Sequence, residues 1–164
     1  MTHLGIFHAT LNPGSGNNYS NNRKPNASSR RKWMNTPKDL KYTKDHEWAK
    51  LQGGTALVGI TDYAQEKLGS IVFTELPPAG KSFQKGQTVV TIDSVKAVAE
   101  VFAPLSGEIE AVNQALQDTP ELINKDPYGE GWIFKMKVGN PAETAELLSP
   151  EAYEAFVAEE ETKG

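Results

Sequence analysis

From residue 40 onward the chain reads as short apolar or alternating runs cut by turn residues, each run the length of a strand. Residues 40–42 and 47–51 suggest two short strands, and Gln52-Gly53-Gly54 a turn. Residues 55–60 suggest a buried strand. Residues 70–76 form another, stopped by Pro77-Pro78. Residues 87–92 and 98–103 are rich in β-branched or aromatic side chains, as pleated, half-buried strands prefer. Residues 108–112 and 132–138 alternate with period two, so each has one wet side. Helix signals are few. Thr61 is a fair N-cap for a helix over 62–68, and Gly69 a C-cap. Thr119-Pro120-Glu121 opens a helical turn. Ser149-Pro150-Glu151 starts a final helix, with Tyr153, Phe156 and Val157 on one face.

Two of these strands face each other across Asp93-Ser94-Val95-Lys96-Ala97. The connection is short and polar, so it predicts a hairpin with Lys96 at its tip, pointing into water. A lysine in a turn is usually only a solvated charge, so the hairpin alone assigns nothing. Val72-Phe73 with Gly80 before it, and Val101-Phe102 with Pro104 and Gly107 after it, form a faint echo. Two similar β units around Lys96 suit a small sandwich or flattened barrel with the lysine hairpin at one end.

Composition narrows the chemistry. The 164 residues include no cysteine and three histidines. Disulfides, thiolate zinc sites and redox work by the chain's own thiols are excluded, and a histidine metal site is disfavoured. No apolar run reaches membrane-spanning length. Six of the 17 bases (Arg23, Lys24, Arg30, Arg31, Lys32, Lys38) precede residue 39, with no acid among them. The other 11 bases meet all 21 acids, a balance of −10. Such a body suits basic protein surfaces and not nucleic acid.

Residues 1–33 are rich in Asn, Ser and Gly and are expected to be disordered. A vector-derived or upstream extension is the reading favoured here; an organellar transit peptide is the alternative. Residues 34–164 are expected to form one domain. Glu159-Glu160-Glu161 is expected to be a solvated fray. Asp45-His46-Glu47 is the only acid–His–acid cluster. It reads as a surface turn or as the polar wall of a cleft.

Over residues 40–156 the chain resembles the H proteins of the glycine cleavage system. The carrying stretches are Lys44-Asp45-His46-Glu47-Trp48, Gly59-Ile60-Thr61-Asp62-Tyr63-Ala64-Gln65 with Leu68-Gly69, and Val72-Phe73-Thr74-Glu75-Leu76-Pro77. Asp93-Ser94-Val95-Lys96-Ala97, Ala103-Pro104-Leu105-Ser106-Gly107-Glu108, Leu122-Ile123-Asn124 and Pro127-Tyr128-Gly129 with Gly131-Trp132 follow in order. Asp93 stands where the family more often has Glu, and Tyr63 where some members have His.

The resemblance implies a mainly β fold, a lipoyl/biotinyl-type barrel-sandwich hybrid with a short internal helix and a C-terminal helix. It implies lipoic acid in amide linkage on Lys96. It implies carriage of an aminomethyl group between three enzymes: a PLP-dependent glycine decarboxylase (P protein), a tetrahydrofolate-dependent aminomethyltransferase (T protein) and a dihydrolipoamide dehydrogenase (L protein). A lipoyl ligase or lipoyltransferase would load the lysine. The chain would be a monomeric substrate of these enzymes, not a catalyst. The bacterial cytoplasm is the expected compartment, or the mitochondrial matrix if residues 1–33 are a transit peptide. Glu47, supported by His46, is expected to line a cleft that holds the cationic amine away from water; the other reading is that the pair orders a loop beside Trp48.

Three other classes are weighed against this one. A biotin carrier normally flanks its lysine with methionines, unlike Val95 and Ala97. Lipoyl domains of 2-oxoacid dehydrogenases lack the His-Glu-Trp segment and the terminal helix. A relay that passes lipoate to other carriers stays open. A hydrolase or transferase is disfavoured, since no nucleophile–base pair is visible.

Overall fold

A computed structural model describes Thr10–Leu11 and residues 35–163. The strands are β1 (Thr10–Leu11), β2 (Lys41–Tyr42), β3 (Glu47–Gln52), β4 (Thr55–Ile60), β5 (Ile71–Glu75), β6 (Ser82–Phe83), β7 (Thr88–Ser94), β8 (Ala97–Phe102), β9 (Gly107–Val112) and β10 (Phe134–Val138). The α-helices are α1 (Asp62–Leu68), α2 (Ala115–Asp118), α3 (Leu122–Lys125) and α4 (Pro150–Lys163), with a 3-10 helix over Pro141–Glu146. Among the described residues the strands pair antiparallel, in a four-stranded sheet ordered β1-β8-β7-β5 and a six-stranded sheet ordered β2-β3-β4-β10-β9-β6.

The two sheets share one apolar interior. Ile71, Val90, Ile92, Ala99 and Val101 come from the four-stranded sheet. Val58, Ile60, Ile109, Phe134 and Met136 come from the six-stranded one. Period-two alternation explains the partition. In β8 Ala97, Ala99 and Val101 are buried while Val98 is exposed and Glu100 and Phe102 are half-buried. This is the mainly β sandwich that the hydrophobic pattern predicts, with the short helix and the C-terminal helix in their expected places.

A second, smaller core lies under α4. Leu40, Tyr42, Trp48, Tyr63, Tyr153 and Val157 form it, and Phe156 packs at its margin. Tyr42 and Tyr153 stack with ring centroids 4.8 Å apart. The buried Trp48 directs its Nε1–H to the Pro127 carbonyl at 3.0 Å. The Ser149 hydroxyl caps α4 by accepting the Ala152 N–H. The expected fray at Glu159-Glu160-Glu161 is corrected. All three residues are helical, and Glu161 is half-buried, accepting a hydrogen bond from Tyr63 and pairing with Lys67 at 3.2 Å. A run of three acids reads as solvated from sequence because partners on α1 are nearly a hundred residues away.

Strands β1 and β6, helix α2 and the 3-10 helix lack a signal in the hydrophobic pattern. Thr10 and Leu11, within the stretch expected to be disordered, pair with Val98 and Ala97. The rest of the expectation for residues 1–33 lies outside the described residues. Among the described residues no helix is long and apolar enough to cross a membrane.

Candidate functional site

Strands β7 and β8 are joined by Val95 and Lys96 alone, and both residues are exposed. A two-residue hairpin loop ordinarily uses residues with positive φ. Neither Val95 nor Lys96 has one. The closure comes from Ser94 instead. Its hydroxyl accepts the N–H groups of Lys96 (3.3 Å) and Ala97 (3.0 Å) and lies 3.1 Å from the Ala97 carbonyl. Ser94 is itself buried, so these bonds are shielded from water.

The tip is also anchored from the side. The Val95 N–H donates to the Ser70 carbonyl at 2.9 Å. Ser70 sits between α1 and β5, a junction fastened by Asn124. The Asn124 amide donates to the Gly69 carbonyl and to Gln65 Oε1, both at 2.9 Å, and its oxygen accepts the Ile71 N–H. Gly69 ends α1 at φ 76° and ψ −158°, a conformation that side chains beyond hydrogen resist. The Lys96 stem passes over it: a Cβ at Gly69 would lie 3.3 Å from Lys96 Cε. The lysine is thus an exposed residue on a turn held by Ser94, Ser70 and Asn124, with its stem over Gly69.

His46 and Glu47 are not at that tip. Both are 1 % exposed. His46 takes a positive φ of 70° and turns its ring inward. Its Nδ1 lies 2.8 Å from the Tyr153 hydroxyl, which lies 2.7 Å from Thr61 Oγ1. Burial lowers the His46 pKa to about 3, so the ring is neutral. Glu47 Oε1 accepts from the Thr43 hydroxyl at 2.7 Å, and Oε2 accepts the Phe102 N–H at 3.0 Å. Burial outweighs these bonds and pushes the Glu47 carboxyl up to about 8. Glu47 therefore joins β3 of one sheet to the end of β8 in the other, and it does so largely protonated at neutral pH.

Grooves of about 540 Å³ and 280 Å³ lie elsewhere on the molecule, and Lys96, His46 and Glu47 line neither. Among the described residues no cluster of three or more His, Asp or Glu side chains is placed to hold a metal.

Comparison with known proteins supplies the lineage. A family model described as glycine cleavage H-protein matches residues 40–160. The chain belongs to the glycine cleavage H-protein family. It is 52 % identical over 124 residues to the glycine cleavage system H protein of Bacteroides thetaiotaomicron, covering 76 % of this chain and 98 % of that protein. It is 59 % identical over 116 residues to a probable glycine cleavage system H protein of Aeropyrum pernix, covering 71 % of this chain and 81 % of that one. The crystal structure of a glycine cleavage system H protein from Mycobacterium marinum aligns with a TM-score of 0.63 at 39 % identity, covering 71 % of this chain and 94 % of that chain.

Within this family's fold the sequence signal that placed Lys96 was the pair of flanking strands. Three supporting residues lacked an assigned role. Ser94, two positions before the lysine, is the kind of residue that bonds nearby backbone, so its spacing was a readable clue. Ser70 contributes only a carbonyl, and Asn124 acts across more than fifty residues; neither has a local signature.

Proposed function

We propose that this chain carries lipoic acid in amide linkage on Lys96 and shuttles the aminomethyl group of glycine within the glycine cleavage system. The carrying observation is the exposed Lys96 on a turn whose backbone is fastened on both sides. The residues suit the group. Lys96 is exposed, so an acylating enzyme can reach it without local unfolding, and its neighbours Ala97 and Val95 are small or β-branched. Acylation removes the positive charge. When bound, the lipoyl group supplies a disulfide that takes up an aminomethyl group and two electrons as glycine is decarboxylated.

The chain's own contribution is mechanical. Ser94, Ser70 and Asn124 hold the backbone still, so the side chain samples space while the hairpin does not. An extended lysine–lipoyl arm reaches roughly 12–14 Å. Tethering keeps its end at roughly millimolar local concentration for a docked enzyme. The enzymes are the PLP-dependent decarboxylase, the tetrahydrofolate-dependent aminomethyltransferase and dihydrolipoamide dehydrogenase, with a lipoyl ligase or lipoyltransferase acting first. The chain is their substrate and not a catalyst, and the bacterial cytoplasm is the compartment that fits such a set.

Glu47 and His46 enter with a condition attached. A cleft role for Glu47 requires its bond to the Phe102 N–H to open. A cation arriving there would favour ionisation of the carboxyl. Glu47→Gln should then shorten the lifetime of the loaded arm; an unchanged lifetime leaves Glu47 as a tie between the sheets.

Intact-mass analysis after expression with lipoate and a lipoyl ligase tests the main proposal. A lipoyl increment that maps to Lys96 and disappears in Lys96→Arg is the expected result. A wild-type chain that stays unmodified under those conditions, or an increment on another residue, overturns it.

A further inference from the structure

The outer side of the four-stranded sheet has a composition that the carrier role alone does not require. Residues directly opposite in antiparallel strands point to the same face. Phe73, Asp93 and Val98 are aligned in this way across β5, β7 and β8, and so are Glu75, Thr91 and Glu100 in the next row. Their inward neighbours Thr74, Ile92 and Ala99 are buried. The first row begins two residues from Lys96, roughly 7 Å along the strand. Phe73 is 52 % exposed and Val98 45 %, and beside them Val72 is 54 % and Val95 58 % exposed. These four and Leu51 are the large apolar side chains exposed among the described residues, so the apolar surface is concentrated beside the lysine.

The charged residues of this sheet's three longer strands have one sign. Strands β5, β7 and β8 contain Glu75, Asp93 and Glu100 and no Lys, Arg or His. Glu100 is oriented by the Thr88 hydroxyl, which donates to its Oε1 at 2.7 Å. Lys96 at the tip is the nearest base along these strands, and acylation neutralises it. Apolar side chains interleaved with carboxylates form the pattern of a recognition patch, with the apolar part supplying contact and the charges orientation and on-rate.

We propose that this face is the docking surface for the enzyme that acylates Lys96, and that the enzyme meets it with an apolar contact flanked by Lys and Arg side chains. The proposal rests on the carrier reading above. A lysine side chain extends only about 6 Å. An active site that closes on its amine must therefore press against the hairpin, and the Phe73–Asp93–Val98 row lies within its footprint. Three carboxylates on these strands, against the single Lys81 that shares a groove with Glu75 and Thr91 at the far edge, favour a basic partner surface.

The test uses the full, unmodified chain and a purified lipoate–protein ligase, with binding measured by calorimetry and acylation by mass. The variants are the double reversal Glu75→Lys/Glu100→Lys, the apolar change Phe73→Ser, and a control reversal Glu108→Lys/Glu110→Lys on exposed positions of β9. The expected result is a ten-fold or greater loss of affinity, and an equal rise in KM, for the first two, with kcat within two-fold. The control should stay near wild type. Raising salt from 50 to 300 mM should weaken the wild type more than the double reversal. Thermal melts establish that each variant is folded. Equal effects from face and control reversals would reduce the charge argument to net charge and overturn the proposal. An unchanged KM in the folded face variants would overturn it as well. So would a wild-type dimer in sedimentation that the face variants dissociate, which would make a second copy the occupant. A wild-type chain that binds the ligase through this face but takes no lipoyl group on Lys96 would instead sink the carrier reading.

Discussion

Gly69 shows how a neighbour without a side chain shapes the setting of Lys96. Its φ of 76° with ψ of −158° belongs to a region that is almost exclusively glycine's. The lysine stem lies where a Cβ would come within 3.3 Å of Cε. The far end of a lysine is flexible and can move aside, so the backbone conformation decides the outcome. Gly69→Ala should destabilise the fold by about 1–3 kcal/mol, read as a lowered urea midpoint, while acylation of Lys96 changes by no more than a few-fold. A loss of acylation far larger than the loss of stability would show that Gly69 acts on the lysine directly. At this scale the sequence was uneven as a guide. Gly69 was readable as a helix stop because the preceding helix had a clear cap and face. The environment of His46 and Glu47 was not, because it depends on Tyr153 and Phe102, more than fifty residues away from each. A polar residue's burial is decided by such contacts and leaves no trace in its own neighbourhood.

The hairpin is the element in which local chemistry and function coincide. Its strands were legible because β-branched residues and alternation make a strong signal. Its closure was less so, since Val95 and Lys96 offer none of the residues that tight turns favour. Ser94 substitutes for them with bonds to Lys96 and Ala97. Ser94→Ala leaves two buried or half-buried N–H groups without that partner. It should lower stability by about 1–2 kcal/mol and speed amide hydrogen exchange at Lys96 and Ala97 well beyond the global change. Exchange rates that rise uniformly along β7 and β8 would argue that Ser94 contributes to the sheet and not to the turn. Helix α4 teaches the converse lesson. Its start was plain from Ser149 and Pro150. Its end was misread because Glu161 is held by Tyr63 and Lys67 of α1, and end-fraying is overridden when a distant element supplies partners.

At the scale of the whole molecule the two buried ionisable groups of β3 and its approach oppose each other as pH changes. His46 falls from an ordinary 6.5 to about 3 on folding, and Glu47 rises from 4.5 to about 8. Stability rises with pH wherever the unfolded chain holds more protons, and falls where the folded chain holds more. Between about 3 and 6.5 the unfolded chain binds a proton at His46 that the folded one excludes, so stability drops as pH falls through that window. Between 4.5 and about 8 the folded chain keeps a proton on Glu47 that the unfolded one releases, so stability drops as pH rises. From 4.5 to 6.5 the two slopes cancel. Burial also raises Asp45 from 3.8, so its contribution is lost as pH rises from just above that value. Each of the two large shifts is worth on the order of a few kcal/mol. Urea unfolding across pH 3 to 9 should therefore give a curve level between about 4.5 and 6.5, with a decline on either side. Glu47→Gln keeps an acceptor for the Phe102 N–H and carries no titrating proton, so the alkaline decline should flatten while the acid one persists. An alkaline decline of undiminished slope in that variant would mean that Glu47 is already ionised where it joins the two sheets. Its carboxylate would then be stabilised by the Thr43 and Phe102 bonds, and the joint between β3 and β8 would be a charged one.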